Sequence, residues 1–397
     1  MHRLDHLDPP VLKSTRLVPV AWVMCVVATV AVVAVGFSQG GASQAWTAVL
    51  AGLMLPLWLA VGSLFFIAAH SIGGAKWVAP YLRVMEGVGA GLPLSVLAFT
   101  AIGVFGIPYV YEWSHDNPLR DSLFRDPHGG KAWWMSEMRW LVTGVAILCL
   151  FVMLQRALAV RPRTDAAEQM RHVRWSVVTL VLLVPTFTLL SWDLLLSLQV
   201  QFTSAIFGVY CLVSAVHAFL GAVALIVVWL GRSSLAQVSR PHLNKDIGTW
   251  IVAWSCIIAY ISLAQYIIIS FANIDEESSF FLMSMQHGYS QLYVADVVLR
   301  CLVPFALLMS QRLRTNPTAM TIAGIGILLG TWLEIHWLIA PACSRNEFHG
   351  PFGLEALVAI GFLSGALLLA IRSWKRDGLV QVADDRILPA INAEHLQ

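Results

Sequence analysis

Long apolar runs constrain this chain more than any other feature of its sequence. A helix needs about 20 residues to cross a bilayer, and ten of these runs have about that length or more. They lie near residues 17–35, 46–69, 86–107, 137–155, 175–192, 203–230, 247–270, 291–311, 318–340 and 353–371. Stretches such as 177–184 are continuously apolar, whereas the strands of a membrane barrel alternate apolar and polar residues. The sequence therefore predicts an all-α polytopic membrane protein with about ten transmembrane helices.

The composition supports the same class. Hydrophobic residues make up 58% and charged residues 12% of the 397 residues, against about 45–50% and about 25% in soluble domains. So few charges cannot cover the surface of a water-soluble protein of this length. The composition thus excludes a soluble enzyme, a disordered chain and a nucleic-acid-binding protein. The lipid bilayer is the first predicted partner.

The distribution of Lys and Arg predicts the orientation of the chain. Outside the predicted spans, nineteen of these residues fall on one side of the membrane and four on the other. Basic loops tend to stay in the cytoplasm, so both termini are expected there. Residues 1–16 and 372–397 are then cytoplasmic tails around a membrane domain of residues 17–371.

The sequence lacks the motifs that hold common redox cofactors. It contains no C-x-x-C pair, no C-x-x-C-H motif for covalent haem, no P-loop and no dinucleotide-binding glycine motif. His217 stands in a run without charged residues and has no second histidine at matched depth to form the axial pair of a b-type haem. We therefore expect no haem, iron–sulfur cluster or metal site in this chain.

Ionisable residues within or at the ends of the spans are the residues most informative about function. Each costs about 2.5–3.5 kcal/mol at the centre of a helix in lipid, so each has to face protein or water. We take ten of them as candidates for a quinone site or a proton path, and none as a catalytic residue. They are His70, Arg83 and Glu86 near the cytoplasmic side, His217 near mid-membrane, and Arg139, Asp193, Asp296, Arg300, Glu334 and His336 towards the outer side.

Spacing predicts how some of the outer candidates are arranged. Asp296 and Arg300 are four residues apart on one helix face, so they are expected to pair. Glu334 and His336 are two residues apart, which separates them by about 200° around a helix. Asp193 ends the fifth span, where a carboxylate can exchange a proton with a reducible ring; the alternative is a helix-end aspartate that merely meets water.

The cytoplasmic candidates suggest a second cluster. Arg83 and Glu86 lie three residues apart at the start of the third span, and His70 ends the second. Together they could form a cluster for proton entry or exit. The alternative is that Arg83 simply extends its side chain to the membrane surface. For every candidate carboxylate, a purely structural role remains open.

Three segments carry a resemblance to a known family. They are GGAKW at 73–77 with R-x-x-E at 83–86, SWD at 191–193 with TSAIFGVY at 203–210, and AQY at 264–266 with ANIDEE at 272–277. In this order and spacing they resemble the polysulfide-reductase-type (NrfD-like) quinone-interacting membrane subunits. That family includes the quinone-binding membrane subunits of bacterial alternative complex III. The likeness extends from about residue 70 to residue 341.

The resemblance implies an architecture and a function. It implies two four-helix bundles, near residues 46–192 and 203–340, with one flanking helix at each end. It also implies a bacterial inner-membrane subunit of a quinol-oxidising respiratory complex, which binds menaquinone or ubiquinone or conducts protons. Electron transport would then belong to an iron–sulfur/molybdopterin-like subunit and a multihaem cytochrome c subunit, beside a homologous membrane subunit.

The sequence departs from the family at three positions. The family has the motif W-x-D-x-Y-W in its ninth span. This sequence has Glu334 in place of the aspartate and His336 in place of the tyrosine, and it has Asp275 where proline is usual.

Two other functions stay open. One is a secondary transporter. Transporters often contain inverted repeats with broken helices. Here glycine and proline interrupt the third span at 89–93 and glycines interrupt the ninth span at 324–330, but no repeat is evident. The other is a purely structural membrane subunit.

Overall fold

The chain folds as a set of long helices. The structure, a computed structural model, describes residues 17–115, 133–159, 166–200, 202, 204–285, 288–343, 352–381 and 384–392. Within these residues there is no β-strand, and ten helices are long and apolar enough to cross a membrane. This confirms the predicted all-α polytopic membrane protein. The predicted N-terminal tail, residues 1–16, lies outside the described residues.

The ten helices have the following bounds. They are α1 Leu17–Gly36, α2 Gly41–Ile72, α3 Ala79–Val110, α4 Glu137–Leu158, α5 Ala166–Leu194, α6 Phe207–Gly231, α7 Pro241–Ala272, α8 Tyr289–Leu308, α9 Pro317–Cys343 and α10 Leu354–Asp377. Every predicted span lies largely on one of them. The predicted starts of α3 and α5 are wrong by seven and nine residues. In α3 a 3-10 turn at Ala79–Tyr81 and the turn that contains Arg83 precede the predicted start, and in α5 the helix includes residues 166–174, which are too polar to be recognised as membrane-embedded.

Two predicted connections also contain ordered helical structure. A ten-residue helix, Asp275–Ser284, lies within the predicted outer loop between α7 and α8. The predicted C-terminal tail begins as the last turns of α10, and a short helix, Ile387–Ile391, follows it with both of its terminal isoleucines buried. The described part of this tail is therefore packed against the membrane domain rather than extended into solvent.

Helices α3 and α8 are each interrupted by a widened π-helical turn. These turns are Ile102–Gly106 in α3 and Val298–Leu302 in α8, and a proline follows each after one further residue, Pro108 and Pro304. Proline has no N–H and its ring collides with the carbonyl four residues earlier, so a wider turn relieves the clash. The turn in α8 contains Arg300.

Helices α2 and α6 form the centre of the molecule. Their most apolar stretches are 94% and 89% buried, against 11% for α1. They approach each other closely at Gly62, where an added Cβ would lie 2.4 Å from the carbonyl oxygen of Ala215. Small residues at a crossing let two membrane helices pack backbone to backbone.

The other helices pack around this central pair. Helices α3, α4 and α5 pack around α2. Helices α7 and α9 pack against α6, and α8 packs against α7 and α9, while α10 lies against α2 and α1 lies against α10. The contacts follow the same grouping as the two predicted bundles, whose boundaries stay predictions. Each group thus offers an interior in which a polar side chain can be shielded from lipid.

Side-chain hydrogen bonds define the two ends of the helix assembly. At one end Tyr81 donates to Asn244 Oδ1 at 3.3 Å, and Trp374 donates to the Arg83 carbonyl at 2.9 Å. At the other, Tyr111 donates to the Leu194 carbonyl at 3.0 Å. We call the first the basic end, because it is the end to which the sequence assigns most of the Lys and Arg, and the second the opposite end. The cytoplasmic location of the basic end stays a prediction.

Candidate functional site: two buried arginine–carboxylate clusters

The largest buried charge cluster joins α6, α8 and α9. Arg300 Nε lies 3.0 Å from Asp296 Oδ1, and its Nη2 donates to Glu334 Oε1 at 3.0 Å. Its Nη1 donates to Glu334 Oε2 and, at 2.7 Å, to Ser214 Oγ. The Ser214 hydroxyl in turn donates to Glu334 Oε2. We call these four residues the α6–α8–α9 cluster.

This cluster has an uneven charge balance. Two carboxylates face one guanidinium, and the side chains of Arg300 and Glu334 are each only 1% exposed. If both carboxylates were ionised, one negative charge would stay uncompensated in a region that water does not reach. An uncompensated buried charge is costly, so the cluster has room for one additional proton.

The second cluster is an ion pair between α4 and α5. Arg139 Nη1 donates to Asp193 Oδ2 at 2.9 Å, and its Nη2 donates to Asp193 Oδ1 at 2.8 Å, which is the strong two-pronged arrangement. The guanidinium lies 4.3 Å from the centre of the Trp134 ring. Trp140 and Ser197 both donate to the Asp193 main-chain carbonyl, at 2.8 and 2.5 Å.

The environment of Asp193 corrects one of the two interpretations offered by the sequence. Its side chain is 0% exposed, so the interpretation as a helix-end aspartate that meets water is wrong. The physical reason is its partner, because Arg139 offsets its charge one to one and permits full burial. The sequence did not pair these residues, which are 54 positions apart.

Glu334 and His336 point to different neighbours, as their spacing predicts. Glu334 faces α6 and α8, whereas His336 Nδ1 contacts a carboxylate oxygen of Glu355 in the first turn of α10. Glu355 was missed at the sequence level. The sequence could have identified Glu355, because it is an ionisable residue inside the predicted span 353–371.

His217 lies one helical turn from Ser214 on α6, on the same side of the helix. It is completely buried, and its Nε2 lies 3.1 Å from the hydroxyl of Ser255 on α7. Its Nδ1 has no hydrogen-bond partner among the described residues. In that part of the chain, no group of three or more His, Cys, Asp or Glu side chains is arranged to hold a metal ion.

The three candidates near the basic end do not form one cluster. Arg83 and Glu86 pair with each other at 3.2 Å. His70 instead donates from Nδ1 to the Phe66 carbonyl at 2.9 Å and is enclosed by aromatic rings, with the Trp250 ring centre at 4.7 Å. Among the described residues, no hydrogen bond or ion pair connects it to Arg83 or Glu86. The proposed grouping of all three is therefore wrong, because α7 contributes the ring that occupies the space beside His70.

Comparison with known proteins adds no family assignment. No family model matches the chain, and no curated protein matches its sequence. The resemblance carried by the short segments therefore stays a prediction, and the buried clusters have to carry the functional argument.

Proposed function

We propose that this chain is an integral membrane subunit of a quinol-oxidising respiratory complex, to which it contributes quinone interaction, proton conduction or both. Its own polypeptide supplies no redox cofactor in this proposal. Electrons pass through an iron–sulfur/molybdopterin-like subunit and a multihaem cytochrome c subunit, beside a homologous membrane subunit. The setting is a bacterial inner membrane with both termini in the cytoplasm. Within the resembled family, the second quinone-binding subunit of alternative complex III (ActF) is the proposed counterpart.

The observation that carries this proposal is the α6–α8–α9 cluster. Ionisable groups are rare inside membrane proteins and mark ion pathways and proton relays more often than packing sites. This cluster holds one carboxylate more than its arginine can neutralise. Oxidation of a quinol releases two protons, so a subunit beside the reaction needs groups that accept a proton within the membrane. A spare buried carboxylate meets this requirement.

The neighbours of the cluster support a relay rather than a closed ion pair. The hydroxyl of Ser214 contacts both Arg300 and Glu334, and His217 follows one turn later against Ser255. Hydroxyl and imidazole groups can each donate one hydrogen bond and accept another. A proton can therefore be passed on through groups of this kind without a charged intermediate leaving the protein interior.

The Arg139–Asp193 pair suits a positioning role near the opposite end. Its charges cancel, so it holds no spare proton in its resting state. Aromatic rings surround it, since Trp140 stacks on Phe99 at 4.1 Å and Trp134 lies over the guanidinium. A flat apolar ring with oxygen atoms at its edges needs this combination of aromatic walls and polar contacts. We assign the quinone-side role to this pair, and proton entry or exit at the basic end to the Arg83–Glu86 pair.

The test uses a tagged chain purified with its native partners. The proposal predicts that subunits with iron–sulfur and c-type haem spectra copurify and that the complex oxidises quinol. Glu334→Gln and Asp296→Asn should assemble normally but reduce proton release in vesicles. Asp377→Asn is the matched control, because it removes a carboxylate paired with the exposed Arg376.

Two results would contradict the proposal. A tagged chain that purifies without redox partners would exclude a respiratory subunit and favour the transporter alternative. An assembled complex in which Glu334→Gln and Asp296→Asn leave quinol turnover and proton release unchanged would assign the cluster a structural role only.

A further inference from the structure

A cavity at the basic end lies between α4 and α5, away from both charge clusters. It has a volume of about 210 Å³, and its lining includes Arg156 in the last turn of α4 with Glu168, Arg171, His172 and Trp175 on α5. We propose that this cavity binds the phosphate group of an anionic glycerophospholipid whose acyl chains lie along the adjoining helices. This inference is independent of the proposed function.

The charge of the cavity favours an anion, because two arginines and one acidic residue, Glu168, line it. Arg156 and Arg171 both line it, and neither has a hydrogen bond or an ion pair with the described part of the chain. They belong to the segment 156–174, which contains five arginines and two acidic residues. Guanidinium groups bind phosphate oxygens through paired N–H donors, so two arginines that line one cavity form a suitable phosphate site.

The shape of the cavity is fixed by a buried histidine. His172 Nε2 lies 3.0 Å from the Leu158 carbonyl at the end of α4, and the ring is almost fully buried. This contact joins the end of α4 to the second turn of α5. The spacing between Arg156 and Arg171 is therefore set by the packing of two helices rather than by flexible side chains alone.

The surface beside the cavity suits acyl chains. Trp175 is 41% exposed at its rim, and tryptophan prefers the level of lipid headgroups. Towards the membrane centre follow the exposed side chains of Val178 and Val181 on α5 and Met153 on α4. From Arg171 to Val181 the helix rises about 15 Å, which is about half of the hydrocarbon thickness. A lipid with its phosphate at the arginines would therefore place its tails on this apolar face within one leaflet.

This continuity distinguishes a lipid from a free anion. Inorganic phosphate would use the two arginines but would leave the apolar face uncovered, whereas an anionic phospholipid covers both. Basic pockets between membrane helices on the cytoplasmic side bind the headgroups of anionic lipids for this reason. In the predicted orientation, the site lies in the cytoplasmic leaflet, whose surface carries anionic lipid.

The experiment measures lipid retained by the purified chain with its native partners. Native mass spectrometry would follow binding of phosphatidylglycerol and phosphatidylcholine to the wild type and to the double variant Arg156→Gln/Arg171→Gln. The matched control is Arg232→Gln/Arg312→Gln, which removes two exposed arginines at the same end without altering the cavity. We expect the wild type and the control to retain one more phosphatidylglycerol per chain than the cavity variant does.

Other outcomes would overturn the inference. Equal retention of phosphatidylglycerol and phosphatidylcholine would exclude an anion site, and an equal loss in the control variant would show non-specific attraction to the basic end. Displacement of the bound lipid by millimolar inorganic phosphate would identify a free-anion site. If the double variant fails to fold, Arg156→Lys/Arg171→Lys keeps the charge, and weaker phosphatidylglycerol retention in it would still report the loss of paired N–H contacts.

Discussion

Removal of Arg300 and removal of Glu334 should have very different effects, although the two side chains bind each other. Arg300→Gln leaves Asp296 and Glu334 facing each other in the interior without a counter-charge. Breaking a buried pair in this way typically costs about 3–5 kcal/mol. Glu334→Gln instead leaves a one-to-one pair between Arg300 and Asp296 at 3.0 Å and keeps an amide in the same place. Its cost should be near that of one weakened hydrogen bond, about 1 kcal/mol.

The double variant tests the reasoning more sharply. Arg300→Gln/Glu334→Gln removes both partners, so that only Asp296 keeps a carboxyl group in the cluster. Its destabilisation should be smaller than the sum of the two single effects, with an interaction energy in the usual range of about 0.5–3 kcal/mol for residues in contact. Additivity would mean that the two groups do not share a buried environment.

The assay is unfolding of the purified chain in mixed micelles, followed by tryptophan fluorescence, with Asp377→Asn as an exposed control. We expect the order of stability to be wild type, Glu334→Gln, the double variant and Arg300→Gln. If Arg300→Gln is as stable as Glu334→Gln, the cluster does not hold one carboxylate in excess of its arginine. If Arg300→Gln does not accumulate in membranes, recovery of the protein by adding Glu334→Gln would report the same coupling.

Three further predictions concern other parts of the chain. Arg139→Gln strips Asp193 of its ion partner and should cost about 3–5 kcal/mol in the same assay, whereas adding Asp193→Asn should restore part of the loss. Gly62→Ala places a Cβ 2.4 Å from a carbonyl oxygen of α6 and should reduce the yield of monodisperse protein, while Gly36→Ala, whose nearest contact is 3.6 Å away, should not. A reporter fused after Gln397 should be active in the cytoplasm, and periplasmic activity would invert the predicted orientation.

The fold was accessible from the sequence because the bilayer imposes it. A span must satisfy its own backbone hydrogen bonds and stay apolar for about 20 residues, so runs of apolar residues identify helices directly. Helix ends were less accessible. Residues 166–174 are polar, but they contain Ala, Glu, Gln, Met and Arg, which all favour helix. They extend α5 beyond the part that hydropathy detects.

The candidate site was accessible only where its contacts are local. Asp296 and Arg300 are one helical turn apart, so spacing alone predicted their pairing. Arg139 with Asp193 and Arg300 with Glu334 are pairs 54 and 34 positions apart, which depend on how separate helices pack. Nothing in the residue pattern fixes which helices are neighbours. The pairing of Arg139 with Asp193 and of Arg300 with Glu334 could therefore be found only from the three-dimensional structure.

The two clusters follow one plan at different depths. In each group of four helices, an arginine from the third helix holds a carboxylate from the fourth, Arg139 with Asp193 and Arg300 with Glu334. Asp193 lies one residue before the end of α5, whereas Glu334 lies nine residues before the end of α9, which is eight residues or about 12 Å deeper along the helix. Only the deeper cluster adds a second carboxylate, Asp296. A neutral pair near the membrane surface can orient a ligand at little electrostatic cost, while a spare carboxylate far from water is useful only if it takes up a proton. The plan thus assigns positioning to the shallow pair and proton storage to the deep cluster, within the function proposed above.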